Sequence, residues 1–295
     1  MNKKSLHFII NPISGIGKQN NIEEKIAQEI DATIFDSYVH FTKNKEHATS
    51  ISKDLVEKNA SVIVAVGGDG TVNEVAKSLV NSSSILGIVP TGSGNGLARH
   101  LSIPQNVSKA LRLLNTLNTK DIDSCTANNE FFMNVSGVGY DAHISHCFAK
   151  ERKRGIKTYV KLILSEWWTY SVQHYKISIN NTEVFSGDAV QVSFANGTQF
   201  GNNVIVSPQS IDNDGLIELC ILKPFNFYEI PQLLLALATR RFHLHKRMQI
   251  IKCSAASIIT KHAKTHLDGE PKDLSDKIDL MVKPKSIKVI SNQLV

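Results

Sequence analysis

Ser61-Val62-Ile63-Val64-Ala65-Val66-Gly67-Gly68-Asp69-Gly70-Thr71 is the stretch on which the fold turns. The apolar run Ser61–Val66 ends in glycines and reads as a buried strand. Behind it, Val72, Val75, Ala76, Leu79 and Val80 fall on one face of a helix over Val72 to Asn81. Thr71 followed by Glu74 has the form of a capping box for that helix. Amide N–H groups, bare backbone and the positive end of a helix dipole therefore meet at one point, which suits a phosphate. Asp69 is the odd residue, because a carboxylate repels phosphate. It makes sense if it faces a metal ion, a ribose or a hydroxyl that must lose a proton.

The same alternation continues on both sides. Leu6–Ile10 reads as a strand and is followed by a helix with Ile22, Ile26 and Ile30 on one face. Thr33–Val39 reads as a strand, then a helix carries Ala48, Ile51 and Leu55. After the Val72 helix come a strand over Ile85–Val89 and a helix with Val107, Ala110, Leu111, Leu114 and Leu117. Such a chain predicts an α/β domain with a parallel sheet covered on both faces, binding its ligand at the carboxyl ends of the strands. Three loops leave those ends: 11–18, 67–71 and 90–99. Asn11-Pro12-Ile13-Ser14-Gly15-Ile16-Gly17-Lys18 lacks the P-loop spacing and reads equally as an ordinary strand-to-helix turn. Pro90-Thr91-Gly92-Ser93-Gly94-Asn95-Gly96-Leu97-Ala98-Arg99 has three glycines among small polar residues, which favours nucleotide phosphates.

The pattern changes near Asp121 to short alternating runs: Phe131–Val135, Tyr175–Ile179, Asp188–Phe194, Leu216–Leu222, Ser257–Thr260, Ile278–Val282 and Ser286–Ile290. They predict a mainly-β sandwich or open barrel, interrupted by helices near 156–172 and 227–245. Domains are expected over 1–122 and 123–283. A chain of 295 residues is long enough for both. Hydrophobic residues at 42% and charged residues at 20% exclude a disordered chain. The net charge of +6 favours phosphate-bearing partners, and no RNA-binding motif or strongly basic domain points to nucleic acid.

Cys125, Cys147, Cys220 and Cys253 show no metal or redox spacing, as expected of reduced thiols in a cytoplasmic protein. His143/His146 and His243/His245 lack a third ligand and are read as polar packing or surface. Met1-Asn2-Lys3-Lys4-Ser5 leads into a strand rather than a signal sequence. No apolar run reaches the roughly 18 residues of a membrane span, so membrane contact would be peripheral.

Acidic turns gather in the second half. Pro208-Gln209-Ser210-Ile211-Asp212-Asn213-Asp214-Gly215-Leu216 offers Asp212, Asp214 and backbone carbonyls to Mg²⁺ or Ca²⁺, or is a plain Asx-type turn. In Leu267-Asp268-Gly269-Glu270-Pro271, the two acids are two residues apart and share a face if the chain is extended. Either could be a general base for a hydroxyl, or the segment is a solvated β-turn, which is the expectation for the motif by itself. Gly137-Val138-Gly139-Tyr140-Asp141-Ala142 fits a dinucleotide fingerprint, but Lys157 stands where the ribose-binding acid belongs. A tight turn, with Asp141 pairing to a lysine, is the expectation. The segment 150–161 holds six cations and one acid, and Leu162, Ile163, Leu164, Trp167, Trp168 and Tyr170 follow. A second basic group, Arg240, Arg241, His243, His245, Lys246 and Arg247, follows Leu233–Leu237. Cations beside aromatics suit an anionic membrane surface, and equally the solvated flanks of core helices.

Taken in order, Asn11-Pro12 with Ser14-Gly15, Thr42 ahead of Glu46-His47-Ala48, Gly67–Thr71 with Asn73-Glu74, Pro90–Arg99, Gly137–Ala142, Asn213–Leu216 and Asp268–Glu270 run through nearly the whole chain. This series resembles the lipid kinases with a diacylglycerol-kinase catalytic domain, which include diacylglycerol, sphingosine and ceramide kinases. The Gly-Gly-Asp-Gly-Thr motif is shared with NAD kinases and phosphofructokinases; Pro90–Asn95 and the Asp268–Glu270 turn favour the lipid kinases. The resemblance implies a phosphofructokinase- or NAD-kinase-like α/β domain, a C-terminal β-sandwich, and a last strand (284–295) returning to the first domain. It implies ATP and Mg²⁺ as cofactors and a lipid alcohol as acceptor. Asn11, Thr42, Gly67, Gly68, Asp69, Gly70, Thr71, Val72, Asn73 and Thr91 would contact nucleotide. Asp214 with the carbonyls of Ile211 and Leu216, and Asp212 beside them, would form a structural Mg²⁺ site. Asp69 would lie near the reacting groups, and Asp268 or Glu270 would be the base. Gly92-Ser93-Gly94-Asn95 is nearer the sphingosine-kinase form than the bacterial Pro-x-Gly-Thr-x-Asn, which leaves diacylglycerol and a sphingoid base both open. An NAD kinase-like enzyme or a non-catalytic nucleotide- or lipid-binding protein is the alternative. A homodimer is compatible with the sequence.

Overall fold

The computed structural model describes residues 3–14, 21–151, 155–202, 204–261 and 264–293. Part of the first loop (Gly15, Gly17, Lys18) and the cations Arg152, Lys153 and Arg154 lie outside the described residues. The chain divides into two compact units, Met1–Ser124 with Lys285–Val295, and Cys125–Pro284.

The first unit is built from β1 (Lys4–Ile10), α1 (Ile22–Glu29), β2 (Phe35–Phe41), α2 (His47–Glu57), β3 (Val62–Gly67), α3 (Asp69–Leu79), β4 (Ile85–Pro90), α4 (Gly96–His100) and α5 (Val107–Leu114). It also holds the start of β5 (Thr119–Ala127). β1 pairs in parallel with β2 and β3, and β3 with β4. Every residue of β3 is buried, which is why it reads as an unbroken apolar run rather than an alternating one. Helix α3 buries Val72, Val75, Ala76 and Leu79, and α5 buries Val107, Ala110, Leu111 and Leu114.

Three local expectations are corrected. The capping box at Thr71 and Glu74 does not form, because α3 already starts at Asp69 with Gly68 as its N-cap. Glu74 instead accepts from the backbone N–H groups of Glu46 (3.0 Å) and Ala48 (3.2 Å), capping the neighbouring α2. The second strand begins at Phe35 rather than Thr33, because Asp31 Oδ1 accepts from the Thr33 N–H and hydroxyl and holds a turn there. Helix α5 stops at Leu114, and Leu117 sits at φ 48 beyond it.

The second unit takes the end of β5, then β6 (Glu130–Phe132), β7 (Val135–Gly139), α6 (Tyr140–Lys150), α7 (Ile156–Glu166), β8 (Gln173–Ile179), β9 (Thr182–Ala189), β10 (Gln191–Ala195), β11 (Ile217–Leu222), α8 (Ile230–Ala238), β12 (Met248–Cys253), β13 (Ala255–Ile259), β14 (Lys264–Leu267), β15 (Glu270–Asp273) and the start of β16 (Lys277–Ile290). One sheet runs β16-β13-β8-β9, and a six-stranded sheet runs β12-β11-β10-β7-β14-β15. Ile177, Ile258, Ile278 and Leu280 from the first pack with Val192, Phe194, Leu219 and Ile221 from the second in one buried core, making a β-sandwich. Residues 285–290 of β16 belong to the first unit, where Lys288 and Val289 pair in parallel with Ile85 and Leu86 of β4. That unit is an α/β domain on a parallel sheet.

Several expected runs are divided differently. Phe131–Val135 is split between β6 and β7, and Asp188–Phe194 between β9 and β10 around buried Val190. Ile278–Val282 and Ser286–Ile290 form one strand, β16. Helix α7 ends at Glu166, and α8 is shorter than 227–245, with 3-10 turns on either side. Helix α6 grows directly from the Gly137–Ala142 segment, with Gly139 at φ 101 turning strand into helix.

Candidate functional site

In the first unit, β1 connects onward to β2 on one side, while β3 leads to β4 on the other. The carboxyl ends of β1 and β3 therefore flank the topological switch point of the sheet, where such folds bind ligands. The loops there are tied together. Asn11 Nδ2 donates to Thr71 Oγ1 at 3.3 Å, and Ser14 Oγ lies 3.0 Å from Thr91 Oγ1 in a shared hydrogen bond. Asp69 Oδ1 accepts from the backbone N–H of Gly96 at 2.8 Å. A Cβ on Gly92 would stand 2.5 Å from the Gly68 Cα, and one on Gly67 would stand 2.4 Å from the Thr71 side chain. These glycines are required by protein against protein, before any ligand is considered.

The N–H groups of Asp69, Gly70 and Thr71 occupy the first turn of α3, where the helix itself supplies no acceptors. Val72 is different. Its N–H donates to the Gly68 carbonyl at 3.1 Å and its side chain is buried among the helix packing. Thr71 and Thr91 are also buried, and their hydroxyls are the hubs of the inter-loop bonds. Asn73 is half-buried on α3, and Thr42, half-buried, follows β2 with its N–H on the Ile10 carbonyl at 2.9 Å.

In the second unit, the Asp268–Glu270 segment is not extended. Asp268 (φ 49) and Gly269 (φ 88) form a two-residue hairpin turn between β14 and β15. The expectation that both acids share one face is corrected. Asp268 turns back, and its two oxygens accept from the N–H groups of Asn134 (2.9 Å) and Met133 (3.0 Å). The turn is held further by the Asp268 N–H on Ser136 Oγ, the Gly269 N–H on His266 Nδ1 and Ser145 Oγ on the Gly269 carbonyl. Glu270 is exposed at the first position of β15. Ser193 Oγ donates to Asp141 Oδ2 at 3.2 Å, and His266 Nε2 lies 3.3 Å from the same oxygen. The expected lysine partner of Asp141 is therefore replaced by a buried histidine and a serine.

The oxygen-rich turn keeps its donors together in sequence. Asp212 is buried, Asp214 is exposed, and Asp214 Oδ1 accepts from the Leu216 N–H at 2.9 Å, folding the Asx turn. With the carbonyls of Ile211 and Leu216, the donor set is all oxygen and carries two carboxylates, which fits a hard divalent cation.

The pairing of histidines by sequence missed a different grouping. His143, Cys147 and Glu166 bring a nitrogen, a sulfur and an oxygen within 4.8 Å of one another. His143 and Cys147 are four apart, a spacing that shares one helix face, but Glu166 belongs to another helix and gives no sequence signal.

An α/β unit with its glycine loops tied together at parallel strand ends, followed in the chain by a β-sandwich unit, is the fold shared by diacylglycerol kinase and NAD kinase structures. Residues 5–127 match the diacylglycerol kinase catalytic domain, and residues 134–291 match the YegS C-terminal NAD kinase beta sandwich-like domain. A diacylglycerol kinase of Bacillus subtilis (strain 168) is 25% identical over 274 residues, covering 90% of each chain. A protein of Yersinia enterocolitica named as a probable lipid kinase YegS-like is 32% identical over 244 residues, covering 79% of this chain and 80% of that one. The crystal structure of a diacylglycerol kinase from Bacillus anthracis str. Sterne superposes with a TM-score of 0.72 at 20% identity over 98% of this chain and 97% of that one, a likeness of fold. The chain belongs to the lipid-kinase family that carries the diacylglycerol kinase catalytic domain.

Proposed function

We propose that this protein transfers the γ-phosphoryl group of ATP to the hydroxyl of a membrane lipid, diacylglycerol or a sphingoid base. The observation that carries this reading is the convergence of three loops at the switch point, fixed by the Asn11–Thr71, Ser14–Thr91 and Asp69–Gly96 bonds. The first-turn amides of α3 at Asp69, Gly70 and Thr71 bind the phosphates, with Gly67, Gly68, Asn11, Thr42, Asn73 and Thr91 framing the nucleotide. Asp69 positions the 90–99 loop through Gly96.

Glu270 is the general base. The two Asp268 oxygens accept from backbone amides and shape the turn, and Glu270 is solvent-exposed at its edge. In the reaction the Glu270 carboxylate takes the proton of the lipid hydroxyl. A bond forms between that oxygen and the γ-phosphorus, the bond from the γ-phosphorus to the bridging oxygen breaks, and ADP leaves. Mg²⁺ bound with ATP would neutralise the phosphate charge, and a second ion would be held structurally by Asp212, Asp214 and the carbonyls of Ile211 and Leu216.

The protein reaches its lipid by docking on an anionic membrane surface. Leu164 and Trp168 at α7, and Leu234 and Leu235 on α8, are 58–74% exposed, and Lys157 and Lys161 on α7 are exposed as well. Trp167 and Trp168 divide the work: Trp167 stacks on Phe225 at 4.9 Å, and Trp168 is left outside. Among the described residues no helix is long and apolar enough to cross a membrane. The reading places the protein in the cytoplasm with peripheral contact to the membrane.

Incubation with labelled ATP, Mg²⁺ and mixed micelles of diacylglycerol or sphingosine tests this, with NAD as a soluble acceptor in parallel. Labelled lipid is the expected product. Labelled NAD alone would favour an NAD kinase, a reading to which the NAD kinase-like sandwich domain lends itself. ATP binding without any product would make it a carrier or sensor.

A further inference from the structure

We infer that His143, Cys147 and Glu166 form a binding site for one zinc-class transition-metal ion, separate from the magnesium chemistry of phosphoryl transfer. Helix α6 sets His143 and Cys147 one turn apart on the same face, and the last residue of α7, Glu166, closes the third side. His143 Nε2 is 2.9 Å from Glu166 Oε2 and 3.7 Å from Cys147 Sγ. Tetrahedral zinc, with bonds of about 2.1 Å to nitrogen and 2.3 Å to sulfur, places those two ligand atoms about 3.6 Å apart. The nitrogen–sulfur pair is thus already at coordinating distance. The nitrogen–oxygen pair needs to open by about half an ångström, which is the replacement of a hydrogen bond by two metal bonds.

The donor set selects the ion. One imidazole, one thiolate and one carboxylate are borderline-soft to hard ligands that suit Zn²⁺ or Co²⁺ and disfavour Mg²⁺ and Ca²⁺, which take oxygen. Thiolate and carboxylate together neutralise a divalent charge. All three residues are half-buried, with 20% of the His143 and 30% of the Glu166 side chain exposed, so an ion can enter without unfolding. His146 is not part of the site, since its Nε2 lies 3.0 Å from the Thr265 carbonyl.

Three protein ligands leave a fourth position open. His143 also lines a cavity of about 270 Å³ together with Tyr170, Thr169, Gln173, Lys261 and Lys264. That cavity offers the fourth position to water or to a small anion, for which the two lysines supply countercharge. An ion here would replace the His143–Glu166 bond that already joins α6 to α7, beside contacts such as Tyr140 with Trp167 and the Tyr140 hydroxyl on the Ile163 carbonyl. The metal would then stiffen α7, the helix that carries exposed Leu164 together with Lys157 and Lys161.

The experiment is a titration of the full chain, stripped of metal with a chelator, with Co²⁺ and then Zn²⁺. One ion per chain is expected, with a thiolate-to-cobalt charge-transfer absorption that Zn²⁺ abolishes by displacement. Cys147→Ser should remove that absorption, and His143→Ala and Glu166→Gln should each weaken zinc binding by about tenfold or more. Cys253→Ser and His174→Ala, outside the cluster, should change neither. Thermal melts without metal show whether each variant is folded, and Zn²⁺ should raise the melting temperature of the parent chain and of the two control variants more than that of any cluster variant. Absence of stoichiometric binding, a cobalt complex without the thiolate band, or binding indifferent to all three cluster substitutions would overturn the site.

Discussion

The carboxylate of Asp69 holds the backbone N–H of Gly96 at 2.8 Å, so the residue that a phosphate would repel is the one that fastens two glycine-rich loops together. Its second oxygen would lie 3.0 Å from a Cβ added at Gly94. Asp69→Ala should lower turnover by about a hundredfold or more, in the range of lost transition-state electrostatics, while far-UV circular dichroism stays unchanged. Full activity in that variant would remove Asp69 from the reaction and from the positioning of its loop.

Gly92 is the tighter constraint on the same loops. Its missing Cβ would meet the Gly68 Cα at 2.5 Å and Asn95 Oδ1 at 2.8 Å. Gly92→Ala must push backbone from backbone, at a cost of about 1–3 kcal/mol for an overpacked site. ATP binding by calorimetry should fall together with the melting temperature. Gly155→Ala probes the contrast, since nothing lies within 4 Å of its Cβ position and only its φ of +123 opposes the change.

Asp268 and Glu270 should separate by phenotype. Asp268→Asn keeps the shape but cannot accept equally from the Met133 and Asn134 amides, and leaving buried donors short of acceptors costs about 1–3 kcal/mol. The melting temperature should drop. Glu270→Gln should melt like the parent and lose about 10²–10⁴ in kcat if it is the base. The reverse assignment, with Asp268→Asn stable and inactive, would make Asp268 the proton acceptor.

Much of this was readable from residues alone, and the divide follows physical lines. Strand β3 and helix α3 are legible because burial leaves a continuous apolar run followed by a 3.6-residue stripe. The acidic turn is visible as composition, but its hand is not: two positive φ values send Asp268 and Glu270 to different places, and periodicity is silent about φ. Glu74 has the spacing of a capping residue for its own helix and caps α2 instead, because the N–H groups it meets come from across the packing of two helices. The metal-ligating trio escaped notice for the same reason, since Glu166 joins His143 and Cys147 only through the packing of α7 on α6.

Glu229 gives the pH dependence. It is buried, accepts from Arg247 at 2.8 and 3.2 Å, pairs with Lys246 at 2.8 Å and receives the Asn226 N–H at 2.9 Å. These partners, Arg247 foremost, hold its carboxyl down from the ordinary 4.5 to about 2. A carboxylate depressed in the folded state adds stability that is complete above its unfolded value and lost as pH falls through the folded one. The parent should therefore outmelt Glu229→Gln at pH 7, and the gap should close between about pH 4.5 and 2. A gap constant across that range would mean that the bonds to Arg247 and Lys246 contribute nothing as charges.

The membrane docking proposed for this protein uses the exposed apolar side chains of α7 and α8. Trp168 at 74% and Leu164 at 65% exposure leave apolar surface in water that a bilayer interface would cover, and Lys157 and Lys161 on α7 would face anionic headgroups. Each lysine near such a surface is worth about 1 kcal/mol. Lys157→Glu with Lys161→Glu should weaken sedimentation with phosphatidylserine vesicles by about tenfold or more, and Trp168→Ser with Leu164→Ser by a similar factor. The lysine pair should lose its effect at high salt and the apolar pair should keep it, because only the former acts through screened charge. Equal binding of all variants to neutral and anionic vesicles would place membrane contact on another face.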